Sequence, residues 1–245
     1  MTILIPMAGL SSRFLNAGFT LPKYMLYIKD KSLFYLSVES FKKYFKTCRF
    51  VFVARDVYDT QTFIKNECKL LGIENFTTVI LDTYTKGQAE TVSIGIERAK
   101  VPASESILIF NIDTIRKDFS LPECANKCDG YLECFIGSGA NWSYAKTVDG
   151  TVESKVIETA EKKEISNFCS TGIYYFRNAA DFCSAYSSNL MGTNQNGVRE
   201  LYVAPLYNKL IKDGKIIKVD IKKKDDVIFC GVPKEYEAYL KENIK

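Results

Sequence analysis

The 245-residue sequence contains no histidine. Without an imidazole, neither a Ser-His-Asp triad nor a Cys-His pair can form, and most sites in which a metal activates water are also excluded. Any chemistry must therefore use carboxylates, lysine or cysteine, or must need no proton shuttle near neutral pH.

The sequence also lacks long apolar runs and a strong excess of one charge. No run reaches the roughly 20 residues of a membrane-spanning helix, and the opening run, residues 1–6, is too short for a signal peptide. A cytoplasmic location is therefore expected. The net charge of +4 is too small to predict a nucleic-acid surface, since even the basic run 222–224 is flanked by aspartates. A modest positive excess does suit phosphate-bearing substrates.

Eight cysteines are present, but their spacing predicts neither a disulfide framework nor a zinc site. Disulfide frameworks belong mostly to short secreted chains. Zinc sites usually contain CxxC pairs or histidines, whereas Cys124 and Cys128 lie four residues apart. Reduced, mostly buried thiols are expected.

Apolar segments of strand length alternate with helical patterns through the first half of the chain. Strands are predicted at residues 2–6, 50–54, 77–81 and 106–110, and helices at 32–44, 60–71 and 87–100. This alternation predicts an α/β fold with a doubly wound, mostly parallel and Rossmann-like central sheet. Ligands bind such sheets beyond the carboxyl ends of the strands, which places residues 7–13, 82–91 and 111–114 along one rim.

The second half of the sequence has a different pattern. Strands are predicted at residues 131–136, 142–148, 151–157, 171–176, 215–221 and 227–230, and helices at 179–189, 200–212 and 232–243. The pair Asp149-Gly150 indicates a hairpin. We expect a smaller antiparallel sheet that covers the ligand rim, within a single domain of residues 1–245.

The first chemical signal follows directly on the first predicted strand. Gly9 and its small neighbours Ala8, Ser11 and Ser12 would let backbone N–H groups approach an anion. Arg13 can donate two parallel hydrogen bonds to phosphate oxygens. The segment is neither a P-loop nor GxGxxG, so by itself it is also compatible with a plain structural turn.

Three further segments bring polar side chains to the same rim. Pro22 fixes the backbone before Lys23. Gln88, which can donate and accept, lies at a strand-to-helix junction, where free N–H groups meet anions; a simple helix cap is equally compatible. Asp113 follows a buried strand and is the best candidate for Mg²⁺, which prefers one or two carboxylates plus substrate phosphates.

Together and in this order, these segments resemble the sugar-phosphate nucleotidyltransferase family. That family has a glycine-rich loop ending in arginine, a Pro-Lys pair, a Gly-x-Ala junction, a metal-binding aspartate, a Glu-Lys pair and a strand of small, glycine and aromatic residues. The matching positions here are Gly9 to Arg13, Pro22-Lys23, Gly87-Gln88-Ala89, Asp113, Glu161-Lys162 and residues 171–176. Residues 200–208 and 231–236 are also similar to the family.

The resemblance implies a magnesium-dependent nucleotidyl transfer, with a nucleotide-binding part at residues 1–120 and an acceptor-binding part at 121–245. Arg13 would bind the β- and γ-phosphates, while Lys23 and Lys162 would neutralise the α-phosphate and the acceptor phosphate. The implied nucleotide-binding residues are Met7, Ala8, Gly9, Ser11, Ser12, Gly87, Gln88 and Asn111, and Asp113 would hold Mg²⁺. The implied acceptor-binding residues are Glu161, Gly172, Asn194, Asn196, Glu200 and Tyr202; the last four are equally compatible with loop and helix-start structure.

One position departs from the family pattern. Phe229 stands where the family usually has its second metal-binding aspartate. Asp226, or its neighbour Asp225, could substitute, or the metal could rely on Asp113, phosphates and water. Within the family, the short chain and Phe229 favour the cytidylyltransferases of bacterial capsule and surface-polysaccharide pathways. This implies CTP as the nucleotide and L-glutamine phosphate, ahead of a sugar phosphate, as the acceptor.

The implied chemistry agrees with the missing histidine, because a phosphomonoester has a second pKa near about 6 and is already ionised at neutral pH. Two alternatives stay open. A nucleotide-sugar-dependent glycosyltransferase would not need Arg13 and Lys23, and a catalytically inactive nucleotide-binding homologue would be compatible with Phe229. Neither nucleic acid nor a membrane is an expected partner, and a homodimer is left open.

Overall fold

The computed structural model describes residues 1–192 and 200–244. Its strands are β1 Thr2–Pro6, β2 Tyr27–Ile28, β3 Lys31–Ser32, β4 Arg49–Arg55, β5 Phe76–Leu81, β6 Ile107–Phe110, β7 Thr114–Arg116, β8 Gly130–Ile136, β9 Ser143–Thr147, β10 Val156–Glu161, β11 Phe168–Phe176, β12 Ile217–Ile221 and β13 Val227–Phe229. Its α-helices are α1 Ser12–Asn16, α2 Leu33–Glu39, α3 Thr60–Leu71, α4 Gln88–Arg98, α5 Ala179–Gly192, α6 Tyr207–Lys212 and α7 Pro233–Ile244.

A nine-stranded sheet organises these elements. Its main path runs β10-β9-β11-β6-β1-β4-β5, and β8 and β12 branch from β11. The strands from β6 to β5 pair in parallel, which requires the crossover helices that the alternating sequence pattern predicted. The predicted α/β class with a central, mostly parallel sheet is confirmed.

The antiparallel strands continue the central sheet and do not form a separate layer. The long strand β11 pairs antiparallel with β8 along one edge, and with β6 and β9 at different stretches of its other edge. Its register with β8 shifts between Ser170 and Tyr174, and Gly172 within that irregularity has a φ of +93°. Apart from this sheet, β7 and β13 form a short antiparallel pair beside the rim.

Two apolar cores lie on opposite faces of the sheet. In β1, Leu4 faces one core while Ile3 and Ile5 face the other, as the period of two along a strand requires. The first core packs under helices such as α4, through Val92, and the second under α2, through Phe34. No helix within the described residues combines the length and the apolar character needed to cross a bilayer.

Most predicted elements are present, with ends shifted by a few residues. Ser32 caps α2, because its Oγ accepts the N–H of Tyr35 at 2.9 Å, but the helix ends at Glu39 and a separate 3-10 turn covers Lys42–Tyr44.

Two predicted elements are wrong over part of their length. The expected helix over 200–212 is α-helical only from Tyr207, since Pro205 in the preceding 3-10 turn has no N–H to continue a helix ladder. The strand expected over 151–157 begins only at Val156, because the side chain of Asp149 binds Thr151 in the turn. The hairpin itself, between β9 and β10, is present.

Candidate active site

A cleft of about 790 Å³ opens beyond the carboxyl ends of β1, β5 and β6. Cavities of this size commonly hold small-molecule ligands. One end is lined by the loops that follow these strands, and the other by residues of β9, β10 and β11 and by Glu200 and Tyr202. The position agrees with the rule that open parallel sheets bind ligands at this edge.

The glycine-rich loop after β1 forms one wall of the cleft. Met7 and Ala8 are buried, whereas Gly9 and Arg13 are exposed at the cleft. The following short helix α1 is held by Phe14, which is buried against Phe19 and Tyr236. The loop therefore presents its backbone and Arg13 to the cleft from a firmly packed base.

Lys23 and Asp113 meet in the cleft although 90 residues separate them in the sequence. Lys23 Nζ lies 2.6 Å from Asp113 Oδ2, and both side chains are about one-fifth exposed. Lys23 begins a 3-10 turn whose next residues, Tyr24 and Met25, are buried. Asp113 is held through its backbone oxygen, which accepts the N–H of Cys230 at 2.8 Å. The pair puts a cation and a carboxylate side by side at the rim.

Gln88 and Asn111 contact each other and line the middle of the cleft. Gln88 Nε2 donates to Asn111 Oδ1, and the N–H of Asn111 donates to the carbonyl of Gly172 at 3.2 Å. A β-carbon at Gly172 would lie 2.6 Å from Asn111 Nδ2, so a larger residue would displace the Asn111 side chain. The three residues form one unit that joins β6, β11 and α4.

Gly87 allows the segment at Leu201 to approach the start of α4. Its φ is +144°, and an added β-carbon would lie 2.5 Å from the carbonyl oxygen of Leu201. That oxygen accepts the N–H of Ala89 at 2.9 Å, and the N–H of Leu201 donates to Lys86 at 2.8 Å. Gly87 thus links the start of α4 to the segment that carries Glu200 and Tyr202.

Glu161 lines the far end of the cleft, and Lys162 follows it in the chain. Ser143 Oγ donates to Glu161 Oε2, and burial raises the pKa of the Glu161 carboxyl above its usual value. Lys162 Nζ donates to Tyr202 Oη and lies 3.7 Å from Glu200 Oε2. The hydrogen bond to Tyr202 raises the pKa of Lys162, so this side chain stays positively charged.

An aromatic wall closes the cleft beside these residues. Phe229 packs on Trp142 and Phe135, with ring centroids 5.0 and 5.5 Å away, and Phe229 and Trp142 line the cleft. The sequence singled out Phe229 only as a missing aspartate. Its partners, which come from β8 and the turn before β9, could not be identified from spacing.

The register of β13 separates Asp226 from Asp113. Phe229 pairs with Thr114 and Val227 with Arg116, so Asp113 lies level with Cys230. Asp226 ends the 3-10 turn before β13, is exposed, and is not among the residues that line the cleft. Its role as a metal ligand stays a prediction, which this position does not favour. The predicted residues Asn194 and Asn196 lie outside the described part of the chain.

The oxygen ligands available at Asp113 suit magnesium if substrate phosphates supply the remaining ligands. Within residues 1–192 and 200–244, no group of three or more acidic or cysteine side chains could enclose an ion. Mg²⁺ does not need such a cage, because it is commonly held by one or two carboxylates together with substrate phosphates and water. Asp113 meets that requirement at the rim of a cleft large enough for a triphosphate.

Tyr84 and Arg55 lie beside the Gly9 loop and were not predicted. The Arg55 guanidinium lies 3.7 Å from the centroid of the Tyr84 ring, and Tyr84 is 57% exposed along the cleft wall. Both residues line a smaller cavity of about 170 Å³ that the Gly9 loop also lines.

Solved structures resemble the chain over nearly its whole length. The nucleoside-diphosphate-sugar pyrophosphorylase from Vibrio cholerae RC9 is 46% identical, with 98% of this chain and 99% of that chain covered and a TM-score of 0.91.

More distant structures share the fold. An apo UDP-glucose pyrophosphorylase is 18% identical over 98% of each chain, with a TM-score of 0.72. The inositol-1-phosphate CTP transferase from T. maritima is 15% identical over 100% of this chain and 96% of that one, with a TM-score of 0.70. No family model matches the chain, and no match was found among curated proteins.

Proposed function

The chain belongs to the nucleoside-diphosphate-sugar pyrophosphorylase family, and from that premise we propose that it is a CTP-dependent cytidylyltransferase. In the proposed reaction, CTP and a phosphorylated small acceptor give a CDP-linked product and pyrophosphate. L-Glutamine phosphate is the first candidate acceptor and a sugar phosphate the second. With the first acceptor, the enzyme would be a CTP:phosphoglutamine cytidylyltransferase of bacterial capsule synthesis.

The observation that carries the proposal is the contact between Lys23 and Asp113 in the cleft. Lys23 Nζ lies 2.6 Å from Asp113 Oδ2, and the exposed Arg13 lines the same cleft. A triphosphate that enters here meets two cationic side chains. A carboxylate beside them can hold a divalent cation. This combination of charges suits transfer from a triphosphate.

The proposed step is an in-line displacement at the α-phosphorus. An anionic oxygen of the acceptor phosphate forms the new P–O bond, while the bond from the α-phosphorus to the oxygen bridging the β-phosphorus breaks and pyrophosphate leaves. No proton must be removed from an ionised phosphate. The main obstacle is repulsion between two anions, which oriented positive groups overcome.

The side chains divide this work along the cleft. Arg13 would bind the β- and γ-phosphates, Lys23 would leave Asp113 for the α-phosphate, and Lys162 would bind the acceptor phosphate. Asp113 would hold Mg²⁺ with the substrate phosphates, and the bound cation would offset part of the triphosphate charge. Holding both substrates in line would supply much of the remaining acceleration.

The acceptor end suits a small molecule that has both a charged and an apolar part. The half-buried Glu161 carboxylate could pair with the α-ammonium group of an amino acid, and Glu200 and Tyr202 lie nearby. The Trp142–Phe229 wall could pack against methylene groups. These features support an amino-acid phosphate over a strongly hydroxylated sugar.

The proposal is tested by a matrix of four nucleoside triphosphates against L-glutamine phosphate and several sugar 1-phosphates. Pyrophosphate release is measured with Mg²⁺, and products are identified by mass spectrometry. We expect release with CTP and L-glutamine phosphate, and a CDP-linked product of matching mass.

The other outcomes are equally informative. Turnover with another triphosphate or acceptor would retain nucleotidyl transfer and overturn the assigned substrates. Sugar transfer from a nucleotide sugar without pyrophosphate release would indicate a glycosyltransferase. Nucleotide binding without any turnover would indicate an inactive homologue.

A further inference from the structure

The first turn of α7 brings a second carboxylate to the Asp113 end of the cleft. Pro233 begins the helix, and Glu235 is its third residue. Glu235 Oε2 accepts the N–H of Gly231 at 2.9 Å and that of Val232 at 3.2 Å. A glutamate that caps the start of a helix usually accepts such hydrogen bonds. Glu235 also lines the cleft, which a cap does not require.

Gly231 lies between the two carboxylates, and the distances from it set an upper limit on their separation. A β-carbon built on Gly231 would be 3.1 Å from Asp113 Oδ2 and 3.7 Å from Glu235 Oε2. The two oxygens can therefore be no further apart than the sum of these distances. The hydrogen bond from Cys230 N to Asp113 O, at 2.8 Å, holds the segment in this position.

Cys230 precedes Gly231 in the chain, and its side chain is fully buried. A soft sulfur ligand is a poor partner for a hard cation such as Mg²⁺. The Cys230 thiol is therefore not proposed as a ligand.

The other acidic residues of the cleft have different partners. Glu161 is bonded to Ser143, and Glu200 is bonded to Tyr202, both at the acceptor end. The side chain at position 229, where the family usually has a carboxylate, packs into the aromatic wall. Among the described residues that line the cleft, Glu235 is the remaining carboxylate.

We propose that Glu235 is the second protein carboxylate for the divalent cation at Asp113, in the place of the aspartate that Phe229 replaces. The inference rests on the proposed function, since that function supplies the cation. A carboxylate has two oxygens and can accept several bonds, so Glu235 can cap α7 and face a cation at once. The charge lost at position 229 is restored six residues later, from a helix.

Manganese binding tests this proposal without relying on turnover. Free Mn²⁺ is measured by electron paramagnetic resonance during titration of the whole protein, alone and with a non-hydrolysable CTP analogue. The variant is Glu235→Gln, which keeps an acceptor oxygen for the cap but removes the charge. The matched control is Glu237→Gln, because Glu237 is exposed on the same helix.

We expect Glu235→Gln to weaken Mn²⁺ binding by about 10- to 100-fold, the loss known for residues that only support a metal ligand, or by more. Glu237→Gln should change the binding constant less than twofold. Wild-type affinity in a folded Glu235→Gln variant would overturn the proposal. If that variant unfolds, Val232→Ser is added, because serine at the helix cap replaces the lost contacts; Val232→Ser alone is then the reference.

Asp113→Asn separates this proposal from the function on which it rests. If Asp113→Asn weakens Mn²⁺ binding and Glu235→Gln does not, only the role of Glu235 fails. If neither variant weakens Mn²⁺ binding, the metal site itself fails and the proposed function loses its cation.

Discussion

The two ends of the cleft are built in different ways. The nucleotide end consists of short loops that directly follow the parallel strands β1, β5 and β6. The acceptor end is assembled from antiparallel strands and a distant segment, as in the contact between Lys162 and Tyr202, 40 residues apart. Parallel strands bring their carboxyl ends together whatever their side chains are, whereas the acceptor end depends on individual side-chain contacts.

The two ends also differ in the chemistry of their side chains. The nucleotide end presents Arg13, Lys23 and Asp113 around a glycine-rich loop, a set that would suit almost any triphosphate. The acceptor end combines the half-buried Glu161 with the aromatic wall of Trp142 and Phe229. From this difference we infer that the nucleotide end performs the common chemistry and the acceptor end decides what is modified.

The largest effect is expected from the pair at the nucleotide end. Lys23→Ala and Asp113→Asn should each reduce kcat by about 100- to 1,000-fold, because each removes a charge that stabilises the transition state. Pyrophosphate release under saturating substrates measures the loss, and circular dichroism checks the fold. Lys46→Ala, at an exposed lysine outside the cleft, should behave like the wild type. Normal turnover of Lys23→Ala would favour a glycosyltransferase.

Gly172, where β11 bulges between the two ends, should be sensitive to an added methyl group. Gly172→Ala imposes backbone strain at a φ of +93° and a contact of 2.6 Å with Asn111 Nδ2. We expect a loss of about 1–3 kcal/mol in the free energy of unfolding, measured by urea denaturation. Gly139→Ala has a similar φ of +115° and nothing within 4 Å. An equal loss in both variants would show that the contact contributes nothing.

At the acceptor end, Lys162→Met should affect one substrate only. Removing a charged hydrogen bond of about 1.5–3 kcal/mol should raise KM for the acceptor by roughly tenfold or more. The KM for CTP should change little, because the contacts of Lys162 are with Tyr202 and Glu200 and not with the Gly9 loop. Lys163→Met, at the exposed neighbour, is the matched control. Equal effects on both KM values would contradict the proposed division of the cleft into a nucleotide end and an acceptor end.

The smallest expected effect is a shift in pH dependence caused by Glu161. Because burial raises the pKa of this carboxyl, it takes up a proton at a higher pH than an exposed glutamate does. If the ionised form binds the acceptor, kcat/KM for the acceptor should fall as pH drops through that raised pKa. Glu161→Gln should have a lower kcat/KM without this acidic limb. An unchanged limb in Glu161→Gln would assign it to another group.

The nucleotide end was largely predictable because its signals are local. A strand of five residues followed by glycine and small polar residues specifies a tight loop wherever the chain is placed. The rim positions of Arg13 and Asp113 then follow from parallel pairing, whereas Lys23 reaches the rim from a 3-10 turn. What could not be predicted there was the stack of Arg55 on Tyr84, because no spacing rule relates the end of β4 to the loop after β5.

The acceptor end was predicted less well because its contacts depend on register. The Glu-Lys pair was found by its resemblance to a family, but Ser143 and Tyr174, which surround Glu161, were not. The candidate ligand Asp226 illustrates the same dependence. Sequence proximity to Phe229 suggested that this aspartate could substitute, whereas Asp226 lies in the turn before β13 and is not among the residues that line the cleft.

The sequence by itself determined the alternation of strands and helices, the order of the loops at the rim and the exclusion of histidine chemistry. These features follow from local periodicity and from residue types, which do not depend on how distant parts of the chain pack together. Only the tertiary structure decided that Glu235 faces Asp113 across Gly231 and that Phe229 joins an aromatic wall. Such contacts depend on how β13 and α7 pack against the rest of the protein. That packing is determined jointly by residues that are far apart in the sequence.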